Sequence, residues 1–361
     1  MKHLKNKIIK FIYFILTTIL FVSCNIDTNI LTEIRDVDYL NKTADVIEGK
    51  NVLDVMGAKG LVVYDTLIMV TTNNPNGQLQ VYSVNSYNHL GSFCQKGRAG
   101  NEIIDISTVT EQAFNRDGHI IQIVFDRPNT MHEIDITASI NKQNTIVSDS
   151  RECLPIRGNE VVILGTDYSN RFEFERNIYN ENVLDKVPSR YTLYHNNKPK
   201  TLRFFRKPMY VEKPEEYELP YQGSLYKHPT KNIVVQSFAS MNYLLYMDFD
   251  SKKYFAIHQE ESLSFNDNFV SNMPMPLHFS DGAVSNDYIM FLYRQGDYTQ
   301  KTTKGEWIPE VLIFDWDGKY INGFKLDRFI HYIEYDEKHK VLYGLNDLEQ
   351  LYAYDLSGLL P

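Results

Sequence analysis

One strand-and-turn pattern occurs six times along this chain, and this repetition limits the possible folds more than any other sequence feature. In each copy an apolar strand ends at Asp, Asn or His, a short polar turn follows, and most copies continue into a second strand. The copies are LQVYSVNSYNHLGSF, MHEIDITASI, YTLYHNNKPKTLRFF, YLLYMDFDSKKYFAI, VLIFDWDGKYINGF and QLYAYDLSG. Their polar markers are Asn85, Asp135, His195, Asp248, Asp315 and Asp355. The spacing of these markers suits one four-stranded antiparallel sheet per repeat.

Two more strand candidates precede each hairpin, such as GLVVY and LIMVTT in the first repeat. They are rich in the β-branched and aromatic residues that strands favour. Four-stranded sheets that repeat radially form a β-propeller. We therefore predict an all-β fold, a six-bladed β-propeller of four-stranded antiparallel blades. The alternative, a string of separate sheets, would bury too little apolar surface in each sheet to be stable.

The last repeat reaches Pro361 before a full outermost strand can form. A ring must close, and an unpaired strand edge promotes aggregation. We predict that an N-terminal strand within NVLDVMG, from Asn51 to Gly57, completes the last blade and so closes the ring.

The first residues indicate export. Four lysines precede the apolar run FIYFILTTILFV, which is too short for a membrane-spanning helix and is typical of a signal peptide. The run ends in FVSC, which resembles the lipobox of bacterial lipoproteins and implies acylation of Cys24; an ordinary signal peptide that carries a cysteine is the alternative. We expect a signal peptide at 1–23, a lipidated N-terminal linker at 24–50 and the propeller domain at 51–361. The lipid would anchor the protein in the outer membrane, facing the periplasm or the cell surface.

The net charge of the chain argues against some classes of binding partner. Removal of residues 1–23, which carry four lysines and no acid, changes the formal net charge from −9 to −13. This acidity argues against nucleic acid and against an anionic membrane surface, so the lipid must provide membrane attachment. The sequence has no H-E-x-x-H, C-x-x-C, P-loop or G-x-S-x-G motif, and we expect no cofactor and no metal site. Whether Cys94 and Cys153 form a disulfide stays open.

The two faces of the predicted ring differ in the length of their loops. Strands A to D of a blade alternate in direction, so the A–B and C–D turns lie on one face and the B–C and D–A connections on the other. The first face carries tight turns such as NRDG and DWDG, and we call it the tight-turn face. The second carries the long insertions at 176–190, 206–221, 261–278 and 294–310, and we call it the long-loop face.

Long loops on a rigid scaffold usually carry function. Those of the long-loop face are rich in aromatic and methionine side chains, which are typical of recognition surfaces. The candidate contact residues are Tyr179, Tyr210, Tyr217, Tyr221, Phe265, Phe269, Met273, Tyr298 and Trp307. Covering the mouth of the ring is the alternative role for each of them.

The stretch GSFCQKGRAGNEI, residues 91–103, is predicted to be an outermost strand followed by the D–A crossover between the first two blades. A phosphate-binding loop would need a helix after the glycine-rich turn, and the segment that follows is strand-like. Two roles remain open. Gly97 and Gly100 could permit a tight turn while Arg98 and Glu102 pair and lock the blades. Alternatively, Arg98 could bind an anionic ligand in the central pocket, with Glu102 orienting it.

Within this stretch, FCQKGRAGNEI is similar to the GRGPGEF-like segment after the first blade of TolB-like six-bladed propeller lipoproteins of Gram-negative bacteria. The matching positions are Gly97, Arg98, Gly100 and Glu102, whereas the usual Gly and Pro are replaced by Ala and Asn. The lipobox-like start and the closing IEYDEKHKVLYGL extend the resemblance over nearly the whole chain. The resemblance implies a propeller, but the group mostly lacks an assigned activity.

Two functions are consistent with the sequence. The first is a non-catalytic binding or scaffold lipoprotein whose long-loop face docks an envelope protein or a glycan. The second is a hydrolase or lyase that acts on a saccharide, lactone or peptide in the central pocket. A carboxylate pair for that chemistry would come from Asp281, Glu215, Glu216, Glu260 and Glu261. Propellers host both classes, so the fold does not separate them, and we favour the binding function.

Overall fold

The strands of the computed structural model form six sheets arranged as a propeller, which confirms the predicted six-bladed all-β fold. The structure describes residues 30–39, 45–126, 130–153, 159–165, 168–175, 190–202, 204, 223–239, 241–259, 277–294 and 309–360. Within each sheet, four neighbouring strands pair in an antiparallel order, and two of the six sheets carry a fifth strand.

Three short strands precede the first blade: β1 (Glu33–Asp36), β2 (Val46–Ile47) and β3 (Lys50–Asp54). The first blade consists of β4 (Ala58–Tyr64), β5 (Leu67–Thr72), β6 (Leu79–Ser83) and β7 (His89–Phe93). The second consists of β8 (Ile106–Arg116), β9 (His119–Asp126), β10 (Thr130–Asp135) and β11 (Val147–Glu152). The third consists of β12 (Asn159–Ile163), β13 (Arg171–Glu175), β14 (Arg190–His195) and β15 (Lys198–Leu202).

The fourth blade consists of β16 (Leu225–Lys227), β17 (Ile233–Ser237), β18 (Tyr243–Asp248) and β19 (Lys253–His258). The fifth consists of β20 (Phe279–Val284), β21 (Tyr288–Tyr293), β22 (Glu310–Asp315) and β23 (Tyr320–Leu326). The sixth combines β24 (Tyr332–Asp336), β25 (Val341–Leu345) and β26 (Gln350–Asp355) with β3.

The polar markers of the repeat have a structural reason, because five of the six end the third strand of a blade and several of them build the turn that follows. The Asp315 carboxylate accepts hydrogen bonds from the backbone N–H groups of Asp317 and Lys319 at 3.0 and 2.8 Å. Asp248 likewise accepts from two N–H groups of its turn, each at 3.0 Å. An acceptor that bonds the backbone a few residues ahead stabilises a tight turn, so the same residue type recurs at the same place in successive blades.

The ring closes as predicted. β3 pairs antiparallel with β26, with Asp54 opposite Gln350 and Ala353 opposite Lys50. The closing strand thus starts one residue before the predicted segment. Strands from the two ends of the described chain therefore share this sheet, and β3 completes the last blade.

Residues 30–39 and 45–47 form a strap along the outer edges of two blades. β1 pairs in parallel with β19, and β2 pairs in parallel with β23. A paired edge is protected from adding a strand of another chain. These residues fall in the segment expected to be a linker, and neither strand was predicted from the sequence.

One connection on the tight-turn face departs from the prediction that this face carries only tight turns. Between β10 and β11 the chain forms helix α1 (Ile136–Lys142), where the repeat pattern favoured a short turn and a strand. The Asp135 carboxylate caps the helix by accepting a hydrogen bond from Ala138 N at 2.8 Å. Gln143 ends it in a left-handed conformation, with its backbone N–H bonded to carbonyls of the last turn.

The second strand of each blade lies deep between neighbouring sheets. All residues of β5 are buried, and in β21 every residue after the first is buried. Strands covered on both faces need apolar side chains at successive positions, which explains the uninterrupted runs LIMVTT and YIMFLY. The apolar clusters span adjacent blades, as where Ile68 of the first blade lies with Tyr343 of the sixth.

Candidate functional site

A cavity of about 560 Å³ opens on the tight-turn face. Its wall contains residues from the first strand of every blade and from most of the A–B turns. Since the first strand is the innermost strand of each sheet, this cavity lies on the axis of the ring, and we call it the axial funnel. Its charged and aromatic wall residues include Tyr64, Asp65, Phe114, Lys227, Asp336 and Glu337.

Three charged groups of the funnel wall already hold hydrogen bonds. The buried Asp336 carboxylate lies 2.6 Å from His339 Nδ1. Glu337 accepts a hydrogen bond from the Asn286 side-chain amide of the fifth blade at 2.8 Å. Lys227 Nζ donates to the His228 carbonyl at 2.8 Å, and burial lowers the pKa of this lysine. The polar groups of the wall are therefore pre-organised, and they lie beside apolar side chains such as Val62, Phe114 and Ile163.

The turn of His228 stiffens the mouth of the funnel. His228 Nδ1 accepts hydrogen bonds from the backbone N–H groups of Thr230 and Lys231, both at 3.1 Å. Its ring lies against Trp316 at a centroid distance of 4.6 Å, and Trp316 Nε1 donates to the Ser285 carbonyl at 3.1 Å. Burial lowers the pKa of His228 to about 4, so the ring stays neutral and keeps its acceptor at neutral pH.

Side chains of the innermost strands hold neighbouring blades together. Gln112 Oε1 accepts a hydrogen bond from Ile163 N at 3.0 Å, which links the second and third blades. Glu160 Oε2 accepts from Leu225 N at 2.6 Å, which links the third and fourth. A carboxylate or amide oxygen that bonds the next blade's backbone fixes the spacing of the inner strands.

Asp281 has the same blade-linking role. Its Oδ2 atom accepts a hydrogen bond from Ile333 N at 2.7 Å, between the fifth and sixth blades. The structure therefore ties Asp281, one of the candidates for the predicted carboxylate pair, into the scaffold. Its predicted partners, Glu215, Glu216, Glu260 and Glu261, lie outside the described residues.

The stretch 91–103 has the predicted place in the fold. It contains the end of β7 and the D–A crossover to β8, on the long-loop face. Gln78 fastens this crossover, because its side-chain amide donates to the Ile103 carbonyl at 2.8 Å and its Oε1 accepts from Ile106 N at 3.2 Å. Ile103 and Ile106 are buried in the cluster shared by the first two blades. The crossover is thus well bonded at its base.

At the tip of the crossover, Glu102 makes a different contact from the Arg98–Glu102 pair, which was one of the two roles left open. Within the described part of the chain, no ion pair joins Arg98 to Glu102, and the Arg98 side chain is exposed. The Glu102 carboxylate accepts a hydrogen bond from Ala99 N at 2.8 Å and lies over Gly97. A Cβ atom at Gly97 would be 1.9 Å from Glu102 Oε2, whereas Gly100 has open space around it. Gly97 therefore permits the close approach of Glu102, and Arg98 is available to a partner.

The strand boundaries show that the two faces differ in the length of their connections. The four longest connections are 176–189, 203–224, 259–278 and 294–309, and each joins strand B to strand C or strand D to the next strand A. The longest connection of the tight-turn face is 136–146, which contains α1. The nine predicted contact residues from Tyr179 to Trp307, and the lipidation site Cys24, lie outside the described residues.

A central pocket was expected from the predicted ring, but the residues that line the axial funnel were not identified from the sequence, although a signal was present. Polar residues interrupt apolar innermost strands, as Gln112 does in TEQAF and Glu334 in YIEYD. A polar residue inside such a strand marks a position that faces either the axis or the next blade.

Among the described residues, no group of three or more His, Cys, Asp or Glu side chains is arranged to hold a metal ion. In the same part of the chain, no helix is both long and apolar enough to cross a membrane.

The match to a family model agrees with this architecture. A family model described as TolB-like 6-blade propeller-like matches residues 61–338. No curated protein matches the chain. Among solved structures, the chain is similar to a putative exported protein from Bacteroides fragilis, with 10% identity, 89% of this chain and 98% of that chain covered, and a TM-score of 0.48. It is also similar to a member of the DUF4221 family from Bacteroides vulgatus, with 9% identity, 86% and 98% covered, and a TM-score of 0.49.

Proposed function

Because the chain belongs to the TolB-like six-bladed propeller family, we propose that it is a lipid-anchored protein of the cell envelope that binds an envelope protein or a glycan through its long-loop face. The observation that carries this proposal is the placement of all four longest connections on one face of the ring. A propeller with short turns on one face and long insertions on the other has one face built for variation, and binding sites concentrate on such loops.

Two exposed apolar side chains also favour the long-loop face as the binding surface. Met56 is 88% exposed and Leu348 is 71% exposed, and both lie on connections of the long-loop face. The two connections are adjacent, because Val55 N donates to the Glu349 carbonyl at 2.8 Å. Large apolar side chains that project from neighbouring loops favour contact with a partner over contact with water.

The test is an affinity capture from detergent-solubilised envelopes, with the wild type and with a variant whose 261–278 loop is replaced by a short Gly-Ser linker. A matched variant replaces only Met56 and Leu348 by serine. We expect a partner that is captured by the wild type, rebinds the purified protein, and binds both variants more weakly. Equal binding by all three proteins would refute the long-loop face as the docking surface.

The axial funnel supports a second candidate, a hydrolase or lyase for a saccharide, lactone or peptide. Its volume of about 560 Å³ is in the range of small-molecule sites. The carboxylates of Asp336 and Glu337 are engaged with His339 and Asn286, which favours recognition over proton transfer. Hydrolysis of a substrate panel by the wild type, abolished by Lys227→Met and retained by the loop variant, would establish this second function.

A further inference from the structure

The strap has a direction relative to the two faces. β1 is parallel to β19, and β19 runs from the C–D turn on the tight-turn face to the D–A connection on the long-loop face. The strap accordingly starts beside the tight-turn face, where Ile30 packs in the same cluster as Phe249 of the C–D turn. It ends beside the long-loop face, where Tyr39 N donates to the Gln259 side chain at 3.4 Å.

Several contacts fix the strap on the fourth blade. Thr32 donates to the Tyr254 carbonyl from both its backbone N–H and its hydroxyl, at 2.9 and 2.6 Å. Asp36 Oδ1 lies 2.7 Å from His258 Nε2. Tyr39 is 1% exposed and inserts between the fourth and fifth blades. These hydrogen bonds and the buried Tyr39 hold the strap firmly against the propeller. A limit on the position of the strap's N-terminal end is therefore also a limit on the position of the whole ring.

Covalent geometry then limits the height of the protein above its membrane. Six residue steps separate Cys24 from Ile30, and an extended chain covers at most about 3.6 Å per residue, or roughly 20 Å in all. The six-residue strand β19 spans about 20 Å from one face to the other. We propose that the strap orients the anchored protein, with the tight-turn face toward the membrane and the long-loop face away from it. This inference rests on the lipid anchor of the proposed function.

The orientation has consequences for both candidate sites. The axial funnel opens on the face directed toward the membrane surface. The long-loop face, which includes Met56 and Leu348, is directed to the space beyond the membrane, within reach of a large partner. Attachment through a long free linker would give neither face a preference.

The experiment measures fluorescence energy transfer from single labels to an acceptor on lipid headgroups, with acylated full-length protein in vesicles. Labels are placed at Ser86→Cys on the tight-turn face and at Met56→Cys on the long-loop face. Both positions are exposed and belong to the first blade or its junction with the sixth, so they differ mainly in face. Ser251→Cys, in the C–D turn of the fourth blade, gives the reference value of energy transfer for a label on the blade that holds the strap. Cys153→Ser removes the half-buried native thiol from every labelled protein.

We expect clearly more transfer from Ser86→Cys than from Met56→Cys. A 20-residue Gly-Ser insertion after Asn25 leaves the strap intact and should abolish that difference, because the tether no longer limits the height. Equal transfer at the two positions, or more transfer from Met56→Cys, overturns the inference. Loss of flotation with vesicles by the wild type would refute the lipid anchor itself, and the inference with it, so the two failures are distinguishable.

Discussion

Replacement of Tyr39 tests whether the strap is part of the folded propeller. The side chain is 1% exposed and makes edge-on contacts with Tyr293 and Phe314, at centroid distances of 6.0 and 5.5 Å. Its hydroxyl donates to the Oδ1 atom of Asn242, which is also buried. Tyr39→Ala therefore removes a large core side chain and one buried hydrogen bond at once.

The expected losses follow from these contacts. Truncation of a buried aromatic side chain costs about 3–5 kcal/mol. Tyr39→Phe keeps the ring and removes only the donor to Asn242, which costs about 1–2 kcal/mol because a buried acceptor loses its partner. Ile34→Ala in the same strap is the matched control, since Ile34 is 44% exposed, and we expect a change within about 0.5 kcal/mol.

The assay is urea unfolding followed by circular dichroism and by tryptophan fluorescence, with hydrogen exchange of the β1 amides measured in parallel. Coincident transitions would justify a single free energy of unfolding, whereas early loss of β1 protection would show that the strap opens separately. The order Tyr39→Ala, Tyr39→Phe, Ile34→Ala from most to least destabilised supports the structure. A Tyr39→Ala protein as stable as Ile34→Ala would refute the docked strap.

Three further predictions concern single side chains. Arg98→Ala should leave the free energy of unfolding within about 0.5 kcal/mol, because the guanidinium is exposed, whereas Glu102→Ala should cost about 1 kcal/mol by losing the bond to the crossover backbone. Equal losses in thermal unfolding would indicate an Arg98–Glu102 pair in solution. Burial raises the pKa of Cys94 to about 12 and that of Cys153 to about 11, so labelling of the folded protein by a thiol reagent should be slow at pH 8 and should accelerate at Cys153 first as the pH rises. Fast labelling of Cys94 at pH 8 would contradict its burial. The pKa of His228 is lowered to about 4 from an ordinary 6.5, so the unfolded chain binds the extra proton and stability should fall as the pH drops from 6.5 to 4. His228→Phe should flatten that part of the stability profile, and an unchanged slope would exclude this histidine as its source.

The features that sequence reasoning predicted are those with a local physical cause. Asp248 and Asp315 recur because each bonds the backbone of its own turn, so the repeat could be read without knowledge of distant contacts. The closing strand was predicted from a missing partner, and the pairing of β3 with β26 confirms it. The face of each long connection followed from the alternation of strand direction alone.

The features that were missed depend on distant contacts or on competing local signals. Asp135 marked a hairpin by pattern, but the same carboxylate caps α1, and a capping residue looks identical to a turn residue in sequence. β1 pairs with a strand more than two hundred positions away, as the separation of 222 between Thr32 and Tyr254 illustrates. An Arg98–Glu102 pair was one of two roles that charge and spacing left open, and in the structure the Glu102 carboxylate accepts a hydrogen bond from the backbone N–H of Ala99.

The long sequence separations of these contacts also determine when residues 30–54 can fold. Residues 30–54 supply strands to the fourth, fifth and sixth blades, and the Arg35 contact with the Asp317 carbonyl spans 282 positions. Contacts of this separation form late, because the entropy of closing the intervening chain must be lost first. We therefore expect the amides of β1 and β3 to gain protection later than those of β5 and β21, the buried second strands of the first and fifth blades, in pulsed hydrogen exchange during refolding. Protection of β1 before that of β19 would contradict this order, since β1 has no other described sheet to join. Under the proposed lipid anchor, the protein would then fix its orientation to the membrane only after its blades are complete.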